Sequence, residues 1–269
     1  MNRVRIGIVV AGLALFPQIA PALESAVPVS GASVSSAPRE PPAAFATAPP
    51  PDAAIGVKRA DFAREPASRD VRHIANWVVD SGDNGSLPFV VIDKTGAKIF
   101  VFDAGGRIRG SAPALLGIAR GDDTVPGIGD RKLSDMRPDE RTTPAGRFVA
   151  MLGMSTRGVD VVWVDYDSGL SLHRVINTNP RERRLERLAT PTPADNRISY
   201  GCINVPIAFY NKVVYPSFTG TYGVVYILPE SRPLRQVFGS YDVEERVRHQ
   251  TAVRALQNTT IVGALPATQ

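Results

Sequence analysis

The chain is 269 residues long and 43% hydrophobic, which supports one medium domain with appendages, or two small ones, and excludes a wholly disordered protein. Its formal charge of +5 is not gathered into a long basic run, and it carries no helix-turn-helix or RNA-binding pattern, so a nucleic-acid partner is not expected. One cysteine, three scattered histidines and the lack of a phosphate-cradling glycine loop give no reason to expect a metal or a cofactor.

Residues 1–22 read as an export signal, with a basic start (NRVR, 2–5), an apolar run over 6–16 and the small-residue pattern Ala20-Pro21-Ala22. The apolar run is shorter than the roughly 20 residues a spanning helix needs, so no integral membrane domain is expected after cleavage. The expected location is the periplasm or the cell wall outside it. In an exported protein the lone Cys202 has no intramolecular disulfide partner, so the thiol must be either buried or used.

Residues 23–67, built largely from Ala, Pro, Ser and Val, read as an extended linker. A folded domain is expected over 68–230. It opens with a helix whose apolar positions Val71, Ile74, Val78 and Val79 share one face, capped by Ser68 or Asp70 and stopped at 82–85 by Gly-Asp-Asn-Gly. The pattern then changes period. Strands are predicted at 88–93 and 98–102, joined as a hairpin through Lys94-Thr95-Gly96-Ala97, and a third at 114–118. Residues 121–141 read as a polar loop, followed by strands at 148–153, 159–166 and 170–175, a helix at 207–215 and a closing strand at 223–228. The predicted class is therefore mostly β with minor helices. Residues 231–269 form a charged tail of helical composition, either packed or solvated.

Cys202 sits in Ser199-Tyr200-Gly201-Cys202-Ile203-Asn204, where Gly201 permits close backbone approach. A helix is predicted just beyond it, with Asn204 as N-cap and Pro206 in the first turn, and a helix N-terminus favours a nearby thiolate. The alternative is a buried structural cysteine. A thiolate nucleophile needs a base, and His173 is the candidate: on an alternating strand it points with Ser171 and Val175, away from Leu172 and Arg174. His73 and His249 read as solvated.

These residues resemble the signature of the L,D-transpeptidase (YkuD-type) catalytic domain, in which a strand histidine precedes Ser/Thr-His-Gly-Cys-hydrophobic-Asn/Arg. Thr143-Pro144-Ala145-Gly146-Arg147-Phe148 resembles that family's Thr-Pro-x-Gly-x-Phe/Tyr segment, residues 115–118 (LLGI) its preceding strand, and residues 223–228 its closing strand. The resemblance runs in order from about Pro88 to Pro229. It implies a β-rich cysteine acyltransferase domain with Cys202 as nucleophile and His173 as general base. It also implies an oxyanion hole built from the backbone N–H groups of Gly201 and Cys202, and supporting roles for Ser199 and Asn204. The implied substrates are peptidoglycan stem peptides, with an acyl-acceptor amine resolving the acyl-enzyme and no cofactor taking part.

The chain departs from that pattern in three places. Tyr200 stands where the family carries histidine; its hydroxyl donates a hydrogen bond but does not titrate near neutral pH. The 25 residues between His173 and Ser199 form a longer spacer, with Arg181, Arg183, Arg184 and Arg187 inside it. As a loop beside the site, this insertion is a candidate cap whose Arg184 and Arg187 meet substrate carboxylates; the alternative is a short solvated helix. Arg174 follows the histidine and is a further candidate for substrate contact. Competing expectations keep Cys202 and His173 but transfer the acyl group to water, as a carboxypeptidase or cross-link hydrolase, or discard catalysis for a wall-binding role.

Overall fold

The period-two runs of the sequence become one eight-stranded sheet, described here from a computed structural model that covers residues 56–263. The predicted export signal and residues 23–55 of the predicted linker lie outside the described residues. The strands are β1 (Phe89–Asp93), β2 (Lys98–Phe102), β3 (Ile108–Pro113), β5 (Gly146–Met154), β6 (Asp160–Asp165), β7 (Leu170–Arg174), β9 (Ile203–Val205) and β10 (Gly223–Ile227), with β4 (Leu116–Gly117) and β8 (Arg197–Ser199) forming a separate two-stranded ribbon. The sheet order is β3-β2-β1-β10-β5-β6-β7-β9, antiparallel except where β1 meets β10 and β7 meets β9. The class is mostly β with short helices, as the sequence predicted.

Alternation along the central strands divides their side chains between two cores. Val90, Ile92, Ile99, Val101, Val225 and Ile227 face one cluster, which is closed by Tyr210, Val214 and Phe218. Phe89, Val91, Phe100, Phe102, Val224 and Tyr226 face the other. The first cluster is covered by a helical stretch made of α3 (Ile207–Phe209), a π turn (Tyr210–Val214) and α4 (Tyr215–Phe218). The second is covered by α1 (Arg69–Ser81), whose Val71, Ile74, Ala75, Trp77 and Val78 are buried. Ser68 caps α1 by accepting from the Val71 N–H at 3.3 Å, and Gly82 ends it in the left-handed conformation at φ 73°.

The folded region begins upstream of the predicted boundary at Ser68. Phe62 is 5% exposed, stacks edge-on against Phe102 with centroids 5.2 Å apart, and lies under the Arg72 guanidinium. Burying such a ring stabilises by roughly 1.5–3 kcal/mol, enough to hold the end of a Pro- and Ala-rich segment against the sheet. The tail is likewise packed at its start: α5 (Leu234–Phe238) and the first residue of α6 (Val243–Gly263) join the second core, and Arg246 pairs with the buried Asp80 at 2.8 Å. Among the described residues no helix is long and apolar enough to cross a membrane.

The helices cover only part of the second face. Beyond β10 the outer positions of β5 are open, with Val149 57% and Met151 47% exposed. The strand register continues this face from Met151 to Trp163 and then to Ser171 on β7, two residues before His173, but it closes on the way, and Ser171 is buried.

Candidate active site

Twenty-nine positions separate His173 from Cys202, and the parallel pairing of β7 with β9 closes that gap. His173 sits opposite Asn204 in the register, so the turn leading into β9 brings Cys202 beside the histidine. The Ser171 hydroxyl donates to Cys202 Sγ at 3.5 Å, and Sγ lies 3.6 Å from the Gly169 carbonyl oxygen. His173 Nδ1 is 2.7 Å from the Arg174 carbonyl oxygen, an atom that only accepts, so Nδ1 carries a proton and Nε2 is left for the thiol. Burial by itself pushes the Cys202 thiol up. The hydrogen bond and charge of His173, with help from Ser171, outweigh it and bring the thiol below its ordinary value. A half-buried thiol inclined toward thiolate beside an oriented imidazole has the chemical make-up that a nucleophile and its base require.

The backbone around the thiol is fixed from three sides. Gly201 takes φ 130°, and a Cβ there would meet the Thr142 carbonyl oxygen at 2.9 Å, so the position admits only glycine without strain. Ser199, 2% exposed, donates to the Cys202 carbonyl at 2.7 Å and accepts from the Gly201 N–H at 3.1 Å. That second bond engages the Gly201 N–H, which the sequence had assigned to an oxyanion hole; a serine hydroxyl two residues upstream captures it in a local turn. Thr143 is wholly buried; its hydroxyl donates to the Gly201 carbonyl at 2.7 Å and accepts from the Gly117 N–H at 2.9 Å. The three sequence segments singled out by their motifs thus meet at one hydroxyl.

Asn204 does not cap a helix. Flanked by β-branched Ile203 and Val205, it lies in β9 and exchanges backbone hydrogen bonds with Leu115 at 2.8 and 2.9 Å, while the helix begins after Pro206. The expected acidification of Cys202 by a helix N-terminus is therefore replaced by the His173 contact. The Asn204 side chain supports the Cys202 turn instead, donating to the Cys202 carbonyl at 3.0 Å and accepting from Arg184 Nη1 at 2.9 Å.

The candidate substrate arginines are all engaged within the protein. Arg174 points to the face opposite His173, where it pairs with Asp160 at 3.0 Å, donates to Asn211 at 2.7 Å and stacks 4.2 Å from the Tyr210 ring centre. Arg184 bonds Glu182 as well as Asn204. Arg187 donates to the Glu182 carbonyl at 2.7 Å and also to that of Asp195. The insertion carries a short helix, α2 (Arg184–Ala189), which buries Leu188 against Leu115 and Val175; Arg187 ties its own turns, while Arg184 anchors it to Asn204 beside Cys202.

The wall of the cleft comes instead from residues 121–143, of which the sequence marked 121–141 only as a polar loop. Three short 3-10 turns bend it, and Glu140 gathers it by accepting from both terminal nitrogens of Arg131 at 3.0 and 3.1 Å and from the Arg137 N–H at 2.8 Å. It packs so closely on the β6–β7 turn that a Cβ on Gly129 would sit 2.1 Å from the Asp167 carbonyl oxygen. Between loop and turn lies a cleft of about 220 Å³ lined by Ile128, Leu133, Met136, Leu170, Tyr200 and Cys202. Tyr200 faces this cleft beneath Arg141, whose guanidinium is 4.0 Å from the ring centre and donates to the Met136 carbonyl at 2.7 Å. No spacing signal marked this loop, because its place across the cleft from the thiol is set entirely by tertiary packing.

No model of a known protein family matches the chain, and no curated protein sequence resembles it. Among solved structures, an L,D-transpeptidase in complex with imipenem is similar to it at 19% identity and a TM-score of 0.30, over 52% of this chain. The match spans 58% of that protein, so the chain corresponds to little more than half its length. The catalytic domain of the Enterococcus faecium L,D-transpeptidase (E. faecium) is similar at 14% identity and a TM-score of 0.27, over 52% of this chain and 96% of that one.

Proposed function

We propose that the protein is an exported cysteine acyltransferase that acts on peptidoglycan stem peptides. The observation that carries this reading is the pairing of Cys202 with an imidazole whose tautomer is set by the Arg174 carbonyl, at the floor of a cleft. The substrate class rests on the resemblance of Thr143-Pro144-Ala145-Gly146 and Ser199-Tyr200-Gly201-Cys202-Ile203-Asn204 to the L,D-transpeptidase signature. The basic and apolar start of the chain supports an extracytoplasmic site of action.

In this reading Cys202 Sγ–H gives its proton to His173 Nε2, and the thiolate adds to a stem-peptide carbonyl carbon. The tetrahedral oxyanion is met by the Cys202 N–H. Collapse breaks the C–N bond, and the imidazolium returns its proton to the departing amine, leaving a thioester on Cys202. An acceptor amine then gives its proton to His173 and attacks the thioester carbonyl; the new amide bond forms as the C–S bond breaks, and Sγ takes the proton back from His173, which closes the cycle. Division into two additions replaces one difficult amide exchange by two easier steps.

The test uses the mature protein and a carbapenem, whose strained β-lactam carbonyl offers an acyl group to a thiolate. Mass spectrometry is expected to show one covalent adduct on the wild type and none on Cys202→Ala. No adduct on the wild type, or an adduct that persists on Cys202→Ala, overturns the assignment. Purified stem peptides incubated with and without a D-amino acid then separate transfer to an amine from transfer to water.

A further inference from the structure

Lysine is seldom buried without partners, yet Lys94, read from the sequence as a hairpin-turn residue, has a side chain with no exposed surface. All three of its donor directions are used: Nζ bonds the Gly121 carbonyl at 2.5 Å, Asp122 Oδ1 at 2.7 Å and the Thr143 carbonyl at 3.1 Å. Gly121 and Asp122 begin the loop that walls the cleft, and Thr143 ends it. One ammonium therefore draws both ends of that loop together. Through the Thr143 hydroxyl the same chain of hydrogen bonds passes to the Gly201 carbonyl, one residue before the thiol.

Burying an ion costs several kcal/mol, and a well-packed apolar residue of similar volume would often serve stability as well. An apolar side chain, however, cannot bind three acceptors set at the two ends of one loop. Asp122 does not depend on Lys94 for solvation, because it also accepts from the backbone N–H groups of Glu230, Ser231 and Arg232 at 2.8, 2.9 and 2.9 Å. Glu230 is held independently by Arg197 at 2.7 Å. The carboxylates are thus provided for without the lysine, whereas the Gly121 and Thr143 carbonyls take their bonds from it.

We propose that Lys94 is a positioning residue for Cys202, fixing the nucleophile turn through Thr143 and Gly201 while it closes the stem of the cleft loop. The proposal rests on the reading of Cys202 as the nucleophile. It assigns Lys94 a part in setting the distance between thiol and imidazole, not a part in touching substrate.

The test compares Lys94→Met with the wild type by the pH profile of iodoacetamide alkylation at Cys202, by carbapenem acylation and by thermal melting. Loosening the turn weakens the His173 contact, so alkylation near pH 6 is expected to fall about tenfold, corresponding to a shift of about one pKa unit. At about pH 10, where the thiol is ionised in both proteins, the rates should coincide. A folded Lys94→Met with the wild-type profile and wild-type acylation overturns the proposal. If Lys94→Met does not fold, Thr143→Val cuts the same chain one link nearer the thiol and should give the same shift; an unshifted profile overturns the proposal, and so does failure of both variants to fold. Wild-type protein that alkylates but takes no carbapenem overturns the acyltransferase reading, while the alkylation profiles still decide the role of Lys94.

Discussion

The Arg141 guanidinium lies 4.0 Å from the centre of the Tyr200 ring, joining the wall of the cleft to the residue two before Cys202. Such a cation–π contact is worth about 0.5–2 kcal/mol, depending on how far it is removed from water. Tyr200→Ala should release the wall at Met136 and slow carbapenem acylation by about 2–30-fold. Tyr200→His keeps a flat ring under the guanidinium and should preserve most of the rate. Pseudo-first-order acylation rates of the three proteins check this; an unaffected Tyr200→Ala would show that the stack does not order the cleft.

His173 carries the second prediction. Without it, burial is left as the main influence on the Cys202 thiol, whose value should rise above its ordinary range. His173→Ala should slow acylation by about 10²–10⁴, the usual worth of a positioned base, and move the alkylation midpoint to higher pH. Far-UV circular dichroism should be unchanged, since His173 is only half-buried near the end of β7 and fills neither hydrophobic core. Retained low-pH alkylation in a folded variant would place the base elsewhere.

Where a residue's chemistry is expressed locally, the sequence disclosed it. Residues 89–93 and 98–102 are β-branched or aromatic nearly throughout because both faces of those strands are buried, and the strand histidine and Gly-Cys pair were marked by their resemblance to a family signature. Strand β3 went unread because Ile-Arg-Gly-Ser-Ala-Pro shows little apolar alternation; its extended form is imposed by pairing with β2 at the sheet edge. Strands β8 and β9 have three residues each, too few to show a period. Lys94 and Asp122 were illegible for another reason: a hairpin lysine and a loop aspartate look solvated until the fold brings them within 2.7 Å in the interior. The arginines of the insertion misled in the opposite sense, because a charge run does not reveal that its partners are supplied by the protein itself, Glu182 within the segment and Asn204 beyond it.

A third prediction concerns Gly201, where a side chain meets both a disfavoured φ of 130° and the Thr142 carbonyl oxygen. Gly201→Ala should lose about 1–3 kcal/mol of stability, the scale of local backbone strain, and displace Cys202 enough to lower acylation more than about tenfold. Gly220→Ala is the comparison, since Gly220 also has a positive φ of 72° but nothing within 4 Å of the added carbon. It should cost stability without affecting acylation. Equal acylation losses in the two variants would mean that the effect of Gly201 is general destabilisation rather than placement of the thiol.

The last prediction follows from the sign of the Asp122 shift. Burial alone would raise this carboxyl. Hydrogen bonds from Lys94 and Ser231 and from the Glu230 and Ser231 N–H groups overcome it and hold the group well below the usual carboxylate range. A carboxylate depressed in the folded protein contributes stability that is complete above its unfolded value, about 3.9, and is lost as pH falls through the folded value. Asp122→Asn removes that contribution at every pH, so its deficit against the wild type should be largest near neutral pH. Urea unfolding of both proteins at about pH 7, 5 and 3 measures it. The deficit should be nearly constant between the first two and narrow at the third, because part of the wild type's advantage is then titrated away; the other carboxylates titrate in both proteins and largely cancel in the difference. A deficit independent of pH would mean that the substitution acts through lost packing around Ser231 rather than through the charge held against Lys94.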